Sequence, residues 1–248
     1  MSTYPLSAPA PSGILRLPRL SRGGAQVALF LLAYLVYSGA RYFTIGDLGD
    51  ATTNAHWIVD LEANLHVGIE GTVQDALTGS VVLWMLNHVY LAAQLVVLPG
   101  ALWLLHRKAR PAYLRLRNTV LATWLLSIPI YGLFPVAPPR LANIGLVDTI
   151  SSQTGFAMDS SLTTSFYNEL AAVPSLHVGF AFAVGIALAS ATSNRALKVA
   201  GHLWGPIVAL AVVATGNHYI FDIVAGMVAA AIGYGLGALF AKGTKKVF

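Results

Sequence analysis

The chain has 248 residues, of which 56% are hydrophobic and only 10% charged, and its mean hydropathy is +0.67. A soluble domain carries about 25% charged residues, so this balance excludes an ordinary soluble protein and indicates an integral membrane protein. The absence of cysteine excludes disulfides and thiolate metal sites, and a net charge of +5 in so apolar a chain gives no reason to expect nucleic acid as a partner.

Residues 1–24 are rich in Pro, Ser and Gly, carry Arg16, Arg19 and Arg22, and read as a flexible tail. Apolar stretches able to span a bilayer, which takes about 20 residues each, follow near 25–43, 81–105, 119–137, 177–192, 198–215 and 219–241. The first could instead be a signal peptide, since Ser38-Gly39-Ala40 resembles a cleavage site. Its apolar run is longer than the usual signal core. The expected fold is therefore all-α, a single membrane domain of six transmembrane helices over 25–248.

Two outer segments are long enough for structure of their own. Over 55–76, Trp57, Leu61, Leu65 and Val67 recur at helical spacing with Asp60, Glu62 and Glu70 largely off that stripe, which predicts an amphipathic helix in the interface. The polar 138–175 segment reads equally as a substrate-guiding lid or as a disordered connector. Asn87 and His88 fall two turns inside the second span, where polar groups either line a site or hydrogen-bond between helices.

Charge sets the orientation. With a cytoplasmic N-terminus, every one of the 15 basic residues except Arg41 and Arg140 falls in or beside a cytoplasmic segment, and all ten acids fall outside or at the outer boundary. Both termini are then cytoplasmic by the positive-inside rule. Arg140, Ser175, His177, His218 and Asp222 come to the extracytoplasmic face of a multi-pass cell-membrane protein.

Singly, these residues have ordinary explanations. A histidine at a helix end is commonly an interfacial residue, as is expected of His56, His66, His106 and His202. Arg140 could be an anchor and Asp222 a first-turn acid. Their convergence at one face of a charge-poor protein argues for function. An arginine fixed behind Pro138-Pro139 suits phosphate oxygens. Ser175 and His177 open a helix, where free N–H groups attract anions, and Pro174 fits the first turn. Asp222, four residues after His218, can orient that imidazole to attack phosphorus, and His177 can protonate the leaving oxygen. No second carboxylate cluster has metal-ligand spacing, so no metal and no cofactor are expected.

These residues resemble the type-2 phosphatidic acid phosphatase superfamily of lipid phosphatases and phosphotransferases. Pro174-Ser175-Leu176-His177 matches its Pro-Ser-x-His motif, and His218 with Asp222 matches its His-x-x-x-Asp. The resemblance implies a phosphohistidine at His218, His177 as general acid, Asp222 orienting the nucleophile, and a phosphate-bearing lipid as substrate. Two of the family's usual cations are replaced, by Leu133 before Arg140 and by Ala211-Val212 before His218. Phe134-Pro135-Val136-Ala137-Pro138-Pro139-Arg140, Thr215-Gly216-Asn217-His218-Tyr219 and, less specifically, Glu62…Glu70 and Asn87…Tyr90 are similar to the branch containing inositol phosphorylceramide synthases. That branch implies head-group transfer to inositol or another alcohol. Non-enzyme alternatives are a small transporter, which should show an internal repeat, and a binding protein on the same scaffold.

Overall fold

A computed structural model describes residues 22–44, 46–158, 160, 164 and 168–244, so most of the expected N-terminal tail lies outside the described residues. The chain divides into two compact units, the second beginning at Val36. Helix α1, Arg22–Thr44, crosses that boundary, and α2 onward belongs to the second unit.

The first outer segment forms two helices where periodicity predicts one. Helix α2 (Leu48–Asn64) is capped by Asp47, whose carboxylate accepts from Gly49 N–H at 2.7 Å. His66, at φ 56°, sits in the break, and α3 (Glu70–Leu77) follows. The expected apolar side is exposed at Trp57, Leu65 and Val67. The acids behave differently from that reading: Glu62 and Glu70 are 3% and 6% exposed, because the break turns both carboxyls inward.

Ser80 caps α4 (Val81–Ala92), accepting from Leu83 N–H at 3.1 Å. A π-helical turn, Ala93–Val97, joins it to α5 (Leu98–Lys108) as one rod. Helix α6 (Arg110–Leu133) runs back, and the chain then forms a 3₁₀ turn at Pro139–Leu141 and the short α7 (Thr149–Thr154). The last three helices are α8 (Leu176–Ser190), α9 (Arg195–Ala214) and α10 (Ile220–Thr244). Among the described residues, four helical segments are long and apolar enough to cross a membrane: Gly23–Ala40, Val81–Lys108, Arg195–Ala214 and Ile220–Leu239. Of the other two expected spans, α6 carries Arg110, Arg115 and Arg117, and α8 has only 15 residues. Large apolar side chains such as Leu95, Trp103, Ile207 and Val228 face outward, as a lipid-facing surface requires.

Helix α8 is the hub, packing on α9, α10 and α6. Gly226 of α10 makes this approach possible, since a Cβ there would clash with the Ser175 carbonyl oxygen.

The described part of 138–175 is folded back on the helix ends. Val136 N–H donates to Leu170 O at 2.9 Å and Ala172 N–H to Val136 O at 3.2 Å. The Gln74 side chain donates to Val147 O at 3.1 Å and accepts from Val147 N–H at 2.9 Å. Asp148 caps α7 through Ile150 and Ser151. Of the two readings left open for Asn87 and His88, Asn87 hydrogen-bonds between elements. Fully buried, it accepts from Thr149 Oγ1 at 2.8 Å and donates to Gln153 at 2.9 Å, tying α4 to α7. His88 is exposed and bonds its own helix, at Trp84 O.

Candidate active site

All five residues singled out from the sequence are brought to one end of α8 and α10. The turn between α9 and α10 builds half of the cluster. Helix α9 closes with Gly216 N–H donating to Val213 O at 3.0 Å and Asn217 N–H to Val212 O at 3.0 Å, a Schellman ending with Gly216 at φ 69°. Only glycine suits that φ in this setting, because a Cβ would also meet Val147 O at 2.8 Å. The reversal delivers Asn217, His218 and Tyr219 in succession onto the start of α10.

His218 and Asp222 form a direct pair, Nδ1 to Oδ2 at 3.1 Å, with side chains 8% and 0% exposed. The same carboxylate oxygen accepts from Tyr219 N–H at 3.0 Å, so Asp222 both holds the imidazole and caps its own helix. Tyr219 is anchored in turn, its hydroxyl donating to Ala137 O at 3.1 Å. Burial, reinforced by the Arg140 charge and opposed by the Ala172 carbonyl, holds the His218 imidazole down to about 3 from its usual 6.5. The ring is therefore neutral in the resting protein. A neutral imidazole with Nδ1 bonded to a carboxylate carries its free lone pair on Nε2, which can act as a nucleophile.

Ser175 joins the two motifs. Its backbone N–H donates to Asp222 O at 3.1 Å, and its hydroxyl caps α8 by accepting from Val178 N–H at 3.4 Å. Pro174 consequently precedes the cap and does not occupy the first helical turn, where its sequence position suggests it. Its carbonyl accepts from the buried Tyr131 hydroxyl at 3.1 Å. One residue into α8, the His177 ring lies 6.1 Å from that of His218, inclined by 54°. The His177 ring also stacks on Tyr90 of α4 at 4.1 Å and 19°.

Arg140 reaches the cluster from the 3₁₀ turn. Its backbone N–H donates to Gly216 O at 2.9 Å and its Nη1 to Asn217 Oδ1 at 2.6 Å. Asn217 is itself fixed, Nδ2 donating to Thr215 O and Oγ1 at 3.1 and 2.9 Å. The guanidinium remains half-buried at the edge of the histidine pair.

Sequence reasoning gives no role to Asn217, Tyr90 or the inward-facing Glu62 and Glu70. For Asn217 the sequence signals are its adjacency to His218 and its place in Thr215-Gly216-Asn217-His218-Tyr219. Tyr90 lies one turn from Asn87, but its stacking partner is 87 residues away. His56, His66 and His202 are exposed and outside the cluster. Among the described residues, no group of three or more His, Asp or Glu side chains forms a metal-binding set.

No match is found among curated proteins or among solved structures. The PAP2 superfamily profile matches residues 56–236, a stretch that includes every residue of this cluster. By that match the chain belongs to the PAP2 superfamily, whose members are generally phosphatases acting on lipid phosphates.

Proposed function

We propose that the protein transfers a phosphoryl or phosphorylated head group from a membrane lipid through a covalent phosphohistidine on His218. The observation that carries this reading is the His218–Asp222 pair facing His177 across 6.1 Å, with the Arg140 guanidinium at its edge.

In the first step His218 Nε2 attacks phosphorus and the bond from phosphorus to the leaving oxygen breaks. Protonated His177 delivers its proton to that oxygen. Asp222 compensates the positive charge that develops on the imidazole. Arg140, with Ser175 and the N-terminal turn of α8, binds the phosphate oxygens. In the second step water or an alcohol attacks the phosphohistidine, His177 takes its proton, and the P–N bond breaks to regenerate neutral His218. The residues require no metal for either step.

The six apolar segments form six spans, with α2 and α3 at the outer interface and both termini cytoplasmic. Obedience to the positive-inside rule supports that topology. The site then lies at the outer leaflet, where a lipid enters sideways from the bilayer with its phosphate at the helix mouths.

A transferase reading has its own support. Leucine stands where the wider family has a lysine, and Leu133 is 86% exposed. Ala211 and Val212 are buried where it has serine and arginine. One arginine suits a phosphodiester, or another phosphate carrying less charge, better than a dianionic monoester. Incubating the purified protein with phosphatidic acid or phosphatidylinositol, with and without free inositol, and identifying products by mass spectrometry tests both readings. Inositol-dependent products identify a transferase, whereas inorganic phosphate from phosphatidic acid, or inositol phosphate from phosphatidylinositol without added inositol, identifies a hydrolase. No product from either lipid contradicts the proposal.

A further inference from the structure

Glu62 and Glu70 lie on different helices, and each carboxyl accepts from a different backbone N–H in the first turn of α10. Phe221 N–H donates to Glu62 Oε1 at 2.6 Å, and Ile220 N–H donates to Glu70 Oε1 at 2.8 Å. Asp222 already takes the N–H of Tyr219. Three successive N–H groups that open the nucleophile-bearing helix thus end on three acidic side chains, two of them brought from another part of the fold.

We propose that Glu62 and Glu70 are positioning residues, a pair of carboxyl groups that clamps the start of α10 and so fixes His218 and Asp222. The proposal rests on the catalytic roles assigned above to His218 and Asp222.

The break between α2 and α3 makes the clamp possible, since a continuous helix would not turn both acids onto one helix end. A cleft of about 220 Å³, lined by Glu62, Gly68, Glu70, Ile144 and Tyr219 among others, reaches the pair and gives its proton a route to solvent. The titratable groups facing Glu62 are Glu70 from α3 and Asp222 from α10, whose charges disfavour a further negative charge, and the Tyr219 hydroxyl from the turn. Burial chiefly, then the neighbouring Glu70 carboxyl, raises the Glu62 carboxyl from 4.5 to about 8. Between those values the folded chain holds a proton that the unfolded chain has lost. Stability from this pair is accordingly full below about pH 4.5 and declines as pH rises towards 8.

Glu62→Ala, Glu70→Ala and Glu62→Gln in the full chain test the clamp, with phosphatidic acid and phosphatidylinositol in mixed micelles as probes. Glutamine is uncharged and keeps a side-chain oxygen that can accept from Phe221 N–H. Either alanine variant is expected to lower kcat by about tenfold with KM within about twofold, and Glu62→Gln to restore it. Amide exchange at Ile220 and Phe221 should speed up in both alanine variants and stay slow in Glu62→Gln. The loss of Tm between pH 5 and 8 should be smaller in Glu62→Gln than in the wild type. Unchanged kcat or unchanged exchange in the alanine variants overturns the proposal, as does a folded Glu62→Gln no better than Glu62→Ala. If the wild type turns over neither lipid, the catalytic reading fails by itself, and exchange and the Tm profile still decide whether the pair clamps α10.

Discussion

Arg140 is bound through its Nη1 to the side chain of Asn217, the residue immediately before His218 in the chain, at 2.6 Å. The candidate anion-binding group and the candidate nucleophile are thereby held by one turn, and they cannot shift independently. Asn217→Ala should leave the guanidinium charged but unaimed. An increase in KM of about tenfold, with a smaller change in kcat, is expected from the loss of one charge-assisted hydrogen bond. Steady-state kinetics on the lipid that the wild type turns over check this, and an unchanged KM would contradict it.

The Asp222 carboxylate receives two hydrogen bonds on one oxygen, from His218 Nδ1 and from Tyr219 N–H. Asp222→Asn can still cap Tyr219, but it cannot compensate a charge on the imidazole. A fall in kcat of at least about a hundredfold with near-normal Tm is expected. Kinetics and thermal unfolding on the same preparation separate the two effects.

Gly216 turns the chain between α9 and α10 at a positive φ, with the Val147 carbonyl 2.8 Å from where a Cβ would stand. Gly216→Ala forces a left-handed alanine, worth about 1–2 kcal/mol, and adds that clash. Lower Tm and loss of activity together are predicted. Gly235→Ala on α10, where nothing lies within 4 Å of the added carbon, is the matched control and should behave as wild type.

The buried neutral state of His218 has a signature on stability. Its imidazole is held down to about 3, whereas in the unfolded chain it titrates near 6.5. Across that window the unfolded chain binds the extra proton, so stability falls as pH is lowered. His218→Asn keeps a donor towards Asp222 and removes the titration. Its Tm should fall less than the wild-type Tm between pH 7 and 4, and parallel curves would contradict the assignment.

The parts of this architecture legible in the sequence are those written locally. Hydropathy marks the apolar segments, Ser175 announces a helix start, and the i,i+4 spacing of His218 and Asp222 is enough by itself to pair them. What stays hidden depends on distant contacts. Periodicity runs one helix through 55–76 because it does not register the break around His66, and it leaves Glu62 and Glu70 off the apolar stripe without showing that they turn inward. Their partners, Phe221 and Ile220, lie 159 and 150 residues further on. The stacking of Tyr90 on His177 and the tie from Asn87 to Thr149 are equally non-local.

A covalent bond between phosphorus and His218 is the step on which the mechanism turns. Rapid denaturation of the protein during turnover of a ³²P-labelled lipid, followed by peptide mapping under alkaline conditions that preserve phosphohistidine, tests it directly. Label is predicted on the peptide containing His218, with none in His218→Ala and reduced labelling in His177→Ala, where the leaving oxygen has no proton donor. Full turnover by His218→Ala, or label on any other residue, would contradict it.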